Sequence, residues 1–314
     1  MGRNNFTAIF MGTPDFAVPS LKALSARAAS VPVVLTQPDR PKGRGKKLLP
    51  PPVKAAAKEL GCEIWQPESV RTEAICRALA AKQPDILVVV AFGQILPKKI
   101  LEIPPHGAIN VHASLLPKYR GPAPIHWAII NGEQETGITT MLMDAGLDTG
   151  RILLTEKTSI APGETAGTLH DRLADMGGDV LCRTVSAMQE GSLSPVPQDH
   201  AAATYAPLLK KSDGRIDWNQ PAAVIERKIR GMNPWPLAHT FYKEKRLNIF
   251  HAEIRPADPH VPPGTVISGF SGELRVATGE QALSILEIQG ASGRRLPIRD
   301  FLSGTSIAVG ERLQ

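Results

Sequence analysis

Four short runs in the first half of the chain, "TAIFM" (7–11), "VPVVLT" (31–36), "DILVVVAF" (85–92) and "AINVHA" (108–113), are apolar almost without interruption. A strand with one wet face alternates polar and apolar residues, so runs like these belong to strands covered on both faces, as in a parallel sheet flanked by helices. The segments between them read as helices; "PPPVKAAAKELG" has prolines at a helix start and Gly61 at its stop. Strand and helix in turn predict an α/β, doubly wound sheet for the front of the chain.

The chain has 314 residues, enough for two domains with a core each. "TLHDRLADMGGDVLCRTVSAMQEG" (168–191) predicts a long helix weakened by Gly177 and Gly178, and the Pro/Ala/Ser stretch 192–207 predicts a linker. Beyond it, "AAVIERKIRGM" reads as one helix, and "LAHTFY", "RLNIFHAEI", "GTVISG", "ELRVATG" and "ALSILEIQ" read as short strands of a small barrel or sandwich. The expected division is 1–191, a linker at 192–207, and 208–314.

No apolar run reaches the roughly 20 residues that span a bilayer, and the start lacks the features of a secretory signal or a myristoylation site. Cys62, Cys76 and Cys182 are odd in number and share no metal or redox spacing, so free thiols in a reducing cytoplasm are expected. His106, His112, His126 and His170 form no H-E-x-x-H or Cys/His pattern, and no metal is expected. The net charge of +6 is concentrated: five basic residues against one acidic in "DRPKGRGKK" (39–47), and fifteen against eleven from Lys210 to Arg312. Two basic regions on one chain suit a nucleic-acid partner.

An open α/β sheet binds ligands beyond the carboxyl ends of its strands. The first strand ends in "MGTPDFA", where Gly12 is followed by Thr13, Pro14 and Asp15 in place of G-x-G-x-x-G, which argues against a dinucleotide enzyme. The last apolar strand runs into "INVHASLLPKYRGPAPIHWAI" (109–129). Asn110 and His112 are two residues apart and so share a face. "MDAGLDTG" offers Asp148 in a Gly-bounded loop, with Asp144 read as a turn residue. An amide donor, an imidazole and a carboxylate, with no Ser or Cys elbow, suit acyl transfer to an amine without a covalent enzyme intermediate.

"NVHASLLPKYRGPAPIHWAI", "GITTMLMDAGLDTG", "FMGTPDFA" and "TQPDRPKGRGKKLLPPPVK" resemble the folate-dependent formyltransferases, and among them the methionyl-tRNA formyltransferases, essentially end to end. The resemblance implies a Rossmann-like formyltransferase domain followed by a small OB-like β-barrel domain that contacts tRNA. It implies 10-formyltetrahydrofolate as formyl donor, the α-amino group of methionyl initiator tRNA as acceptor, and a role in translation initiation. It also implies Asn110, His112 and Asp148 as the catalytic set, and Ser114, Leu115, Leu116 and Pro117 as the folate-contacting turn. Arg44 falls where such enzymes place a key arginine against the acceptor stem, with Arg40, Lys42, Lys46 and Lys47 as phosphate contacts. A monomer is expected. Trp235, between prolines, reads as a packing anchor ahead of a base stacker. Two other readings stay open on the residues alone: the same chemistry on a small amine, which would need neither the basic loop nor the tail, and an RNA-binding protein without catalysis.

Overall fold

The apolar runs do become mutually parallel strands, buried on both faces apart from the exposed Pro32 near the start of the second. The computed structural model describes residues 6–42, 47–267, 272–291 and 293–314. It divides into two compact units, one of residues 1–124, 135–159 and 170–206, the other of 125–134, 160–169 and 207–314. Up to residue 189 the chain runs β1 (Thr7–Gly12), α1 (Ala17–Arg27), β2 (Ser30–Leu35), β3 (Arg40–Lys42), β4 (Lys47–Leu49), α2 (Pro52–Glu59), β5 (Glu63–Trp65), α3 (Glu73–Ala81), β6 (Ile86–Val90), α4 (Lys98–Leu101), β7 (Ala108–His112), α5 (Pro124–Ile130), β8 (Glu135–Leu142), β9 (Ile152–Ser159) and α6 (Ala166–Gln189).

The main sheet of the first unit has the order β5-β2-β1-β6-β7-β8-β9. From β5 to β7 all pairings are parallel. Every residue of β6 is buried, which explains the absence of polar alternation there. The chain builds outward from β1 through β2 to β5 and then returns to the other side of β1 with β6. The switch point of the sheet therefore lies between the carboxyl ends of β1 and β6. Thr13 and Gln37, on the turns after β1 and β2, both bond to the Phe92 carbonyl beyond β6, at 2.8 and 3.3 Å, and tie these strand ends together.

One feature of this unit differs from expectation. The sheet is completed by an antiparallel pair, β8 on β7 and β9 on β8, and β9 does alternate, having only one covered face. Helix α6 runs unbroken through Gly177 and Gly178. A Cβ at 177 would stand 3.2 Å from Val111, and one at 178 would stand 3.1 Å from the Pro19 carbonyl, so these glycines let the helix lie close on β7 and α1.

Residues 192–206 run back over the first unit. Val196 bridges to Ile152 and Tyr205 to Arg120, and Gln198 is buried.

The second unit holds α7 (Ala222–Gly231), β10 (Ala238–Tyr242), β11 (Lys245–Arg255), β12 (Val266–Ile267), β13 (Leu274–Ala277), β14 (Ala282–Gln289), β15 (Arg295–Pro297) and α8 (Ile298–Gly304). The strands are ordered β10-β11-β14-β13-β12, with β15 also on β14, and all pairings are antiparallel. Ile225 and Ile229 of α7 pack with Leu247, Ile249, Leu283 and Ile285 in its core. This is a curled antiparallel sheet, a half-barrel in which the described residues of β10 and β12 do not pair. Trp235 is 47% exposed, contrary to the packing-anchor reading; the turn that carries it, from Asn233 to the positive-φ Leu237, leaves the indole on the surface. No helix among the described residues is long and apolar enough to cross a membrane.

Gly12 closes β1 at the switch point, where an added Cβ would lie 2.9 Å from the Ala17 Cβ and 3.1 Å from the Val90 carbonyl. Gly12→Ala is expected to destabilise the protein by about 1–3 kcal/mol, as overpacking of a fixed contact does, measured by denaturant unfolding.

Candidate active site

Strand β7 delivers the first two site residues. Asn110 pairs with Val89 on one side and Met141 on the other, and His112 is the last residue of the strand. His112 is 6% exposed, and its Nε2 lies 2.9 Å from the Tyr119 carbonyl. A carbonyl can only accept, so Nε2 carries the proton and Nδ1 of the neutral ring is left with its lone pair. That Nδ1 faces Asp148 Oδ2 at 3.7 Å.

Asp148 arrives from the β8–β9 loop. Because β8 runs antiparallel to β7, this loop leaves the sheet beside the start of β7, where the Met143 amide bonds to the Ala108 carbonyl, and folds back along the strand. The Asn110 side-chain amide donates to Asp148 Oδ1 at 3.3 Å, and the Gly121 backbone amide donates to Oδ2 at 2.8 Å. Asp148 is in the left-handed region, φ 52°. A Cβ on Gly150 would sit 1.7 Å from the Leu142 carbonyl, which is why the loop can turn back only with glycine there. Asp144 accepts from the Gly146 amide and the Thr149 hydroxyl, at 2.9 and 2.6 Å, and so closes the turn as expected of it.

The turn Ser114–Pro117 follows directly. Its polar groups are spent internally: the Ser114 hydroxyl donates to the Lys118 carbonyl at 2.6 Å, and the Thr139 hydroxyl donates to the Ser114 carbonyl at 2.7 Å and accepts from the Leu116 amide at 3.2 Å. Leu115 and Pro117 are half-buried, so the turn offers a neighbour apolar surface held in a fixed shape.

Three supporting residues were not singled out from the sequence. Gln198 donates from Nε2 to the carbonyls of Asp148 and Gly150, at 2.9 and 2.7 Å, and accepts from the Arg120 guanidinium at 2.7 and 3.1 Å. Arg120 is 2% exposed and also meets His200 Nδ1 at 3.2 Å. Thr139 ties the turn to β8. Gln198 lies in a stretch with no periodic pattern, and nothing local marks it; Arg120 stands in "KYRGPAP", beside residues that were read, and burial of its charge is visible only in three dimensions.

The basic segment forms a hairpin of β3 and β4, with Arg40 opposite Leu49 and Lys42 opposite Lys47 in the backbone. Arg40 is exposed; Arg44 and Lys46 lie outside the described residues. At the base of the hairpin Asp39 accepts from Gln66 and Lys54 at 2.8 Å each. The Gln66 amide and the Lys54 ammonium hold that carboxyl below its usual range. All three cysteines are free, and burial raises the Cys62 and Cys182 thiols, which makes them poor nucleophiles. Among the described residues no three His, Cys, Asp or Glu side chains gather as a metal site.

Gln198→Ala would leave a buried carbonyl at Gly150, a part-buried one at Asp148 and part of a buried guanidinium unpaired. A loss of about 2–4 kcal/mol in unfolding free energy is expected from uncompensated buried groups, together with weakened activity. Denaturant titration and initial rates on the same sample measure both.

Residues 5–185 match the formyl transferase family, and residues 208–306 match its C-terminal domain. The methionyl-tRNA formyltransferase of Desulfotalea psychrophila is 51% identical over 301 residues, covering 96% of this chain and 93% of its own. That of Caldanaerobacter subterraneus is 50% identical over 307 residues, covering 98% and 99%. Among solved structures, an N-formyltransferase from Helicobacter canadensis, in complex with folinic acid and dTDP-3-aminofucose, superposes with a TM-score of 0.66 at 17% identity, covering 90% of this chain and 99% of that one. HypX from Aquifex aeolicus, in complex with tetrahydrofolic acid, gives 0.61 at 16% identity over 94% of this chain, which spans 46% of that longer one. At such identities the structural likeness is one of fold. With the family matched over residues 5–185, more than half of the chain, and relatives at about half identity along nearly its whole length, the chain belongs to the formyl transferase family, among the methionyl-tRNA formyltransferases.

Proposed function

We propose that this chain transfers the formyl group of 10-formyltetrahydrofolate to the α-amino group of methionine on initiator tRNA, the modification that prepares this tRNA for translation initiation. The observation that carries the chemistry is the convergence of Asn110, His112 and Asp148, an amide donor and a carboxylate–imidazole pair at the end of one strand.

The amine nitrogen attacks the formyl carbon, and the carbonyl oxygen becomes an oxyanion. Asn110 has two amide N–H groups; one reaches Asp148, and the other is available to the oxyanion. His112 is held with Nε2–H on the Tyr119 carbonyl, so the amine's proton is taken at Nδ1, and Asp148 balances the imidazolium that forms. The bond from the formyl carbon to the folate nitrogen then breaks, and the same proton can be handed to that nitrogen as it leaves. We assign no metal a role, since an amine nucleophile does not need a generated hydroxide.

Ser114, Leu115, Leu116 and Pro117 contact the folate donor, by shape and apolar surface more than by hydrogen bonds, given where their polar groups already go. Arg40, Lys42, Lys46 and Lys47 bind tRNA phosphates, and Arg44 meets the acceptor end and aligns the reacting amine. The second unit contributes further tRNA affinity. The enzyme works as a monomer in the cytoplasm, a compartment that suits three free thiols.

Incubation with charged initiator tRNA and the folate donor, followed by release and identification of formylmethionine, tests the reading. Absence of formylmethionine, or equal transfer to a small sugar amine, would overturn it. Asn110→Ala, His112→Ala and Asp148→Ala should each lower turnover by about 100-fold or more with the fold intact. Arg44→Ala should lower kcat at saturating tRNA as well as affinity, whereas Lys47→Ala should affect affinity alone.

A further inference from the structure

Both members of the carboxylate–imidazole pair hang from one tripeptide. The Tyr119 carbonyl holds His112 Nε2 at 2.9 Å, and two residues on, the Gly121 amide holds Asp148 Oδ2 at 2.8 Å. The backbone of Tyr119, Arg120 and Gly121 therefore sets how far the carboxylate stands from the ring, 3.7 Å at Nδ1. These three residues would not keep that backbone unaided. Tyr119 lies at φ 61°, a left-handed geometry that residues other than glycine disfavour, and Gly121 lies at φ 113°. A Cβ on Gly121 would also stand 2.9 Å from the Ala206 carbonyl.

The tripeptide is fixed by the strap of residues 198–206. The Tyr119 amide donates to the Thr204 hydroxyl at 2.8 Å, the Arg120 amide donates to the Thr204 carbonyl at 2.9 Å, and the Arg120 carbonyl accepts from the Ala206 amide at 2.8 Å. The Arg120 side chain grips the same strap, on the Gln198 side-chain oxygen and on His200 Nδ1. Among the described residues no carboxylate pairs with this guanidinium, although Arg120 is buried and a buried cation without a counter-ion is costly. Its link to Asp148 runs through Gln198, whose amide lies between the guanidinium and the Asp148 carbonyl. A direct pair would spend the carboxylate on the arginine; the interposed amide leaves it to the imidazole.

We propose that Arg120 is a positioning residue for formyl transfer: it locks residues 119–121 onto the strap and through them sets the approach of Asp148 to His112. This role rests on the formyl-transfer reading of the site. Buried as it is, Arg120 touches neither substrate, so its effect falls on turnover and not on substrate affinity. Thr204 shares the role from the surface, since its hydroxyl holds the Tyr119 amide.

The test uses the full chain with Arg120→Met and with Thr204→Val, an exposed site where the fold is not at stake. Arg120→Met is expected to lower kcat by about 10-fold or more and Thr204→Val by about 3-fold or more, with KM for the folate donor and for charged tRNA within about 2-fold of wild type. A double-mutant cycle separates positioning from a merely structural role. In an Asp148→Asn background Arg120→Met should cost about 3-fold or less, because the carboxylate it places is already gone. Losses that multiply in full would overturn the proposal. Hydrogen exchange adds a readout that needs no catalysis: protection of the Gly121 amide should fall in both variants, while the denaturant midpoint of Thr204→Val stays near that of wild type. Wild-type kcat and wild-type protection in both variants, in a chain that makes formylmethionine, would overturn the role and leave the enzymatic reading standing. Protection lost as expected, in a chain that makes no formylmethionine, would keep the bracket and remove the enzymatic reading.

Discussion

The carboxylate of Asp148 takes donors from two separate stretches of chain, the Asn110 amide on β7 and the Gly121 amide beyond the Ser114–Pro117 turn, while its own carbonyl receives Gln198. Each bond to a charged oxygen is worth about 1.5–3 kcal/mol, enough to hold a residue at a left-handed φ that costs about 1–3 kcal/mol. Everything else about the site follows from this clamp. Once Asp148 is held beside β7, His112 has a carboxylate at its free nitrogen and the Tyr119 carbonyl at its other, and the ring cannot turn without losing its bond to Tyr119.

What could be read in advance was whatever depends on short-range pattern. Continuous apolar residues such as Ile86 to Val90 can belong only to an element covered on both sides, and β6 is one. Asn110 and His112 share a face because strands have a period of two, whatever surrounds them. The resemblance of "SLLP" and "LDTG" to known enzymes then named the residues, though neither motif explains how the loop reaches β7. That depends on β8 running antiparallel, which "GITTMLM" does not reveal: a buried antiparallel strand and a buried parallel one have the same pattern. The edge strand β9 escaped notice because "ILLTEKTS" is half polar, as a one-sided strand must be.

The two glycines of the long helix α6 act differently in contact than in isolation. In isolation Gly177 and Gly178 weaken a helix by about 1 kcal/mol each. Packed on Val111 and Pro19 they are what allows the helix to approach. Propensity describes the helix alone, and contact outweighs it. Likewise, composition marks the stretch 192–207 as a linker and gives no sign that Gln198 within it bonds to groups 50 and 48 positions earlier, a relation no local window contains.

Because Gln198 sits so late in the first unit, the order in which the chain leaves the ribosome matters. The sheet from β1 to β9 can assemble once residue 159 has emerged, with Asn110 and His112 already in place. The Asp148 loop must wait about another 40 residues for the side chain that holds its carbonyls, an interval of about 2–8 s at usual elongation rates. During that interval the nascent protein carries a formed sheet and an unformed active site. It therefore completes its catalytic geometry only when the chain has passed back over its own first domain, just as the second unit's main segment begins to emerge.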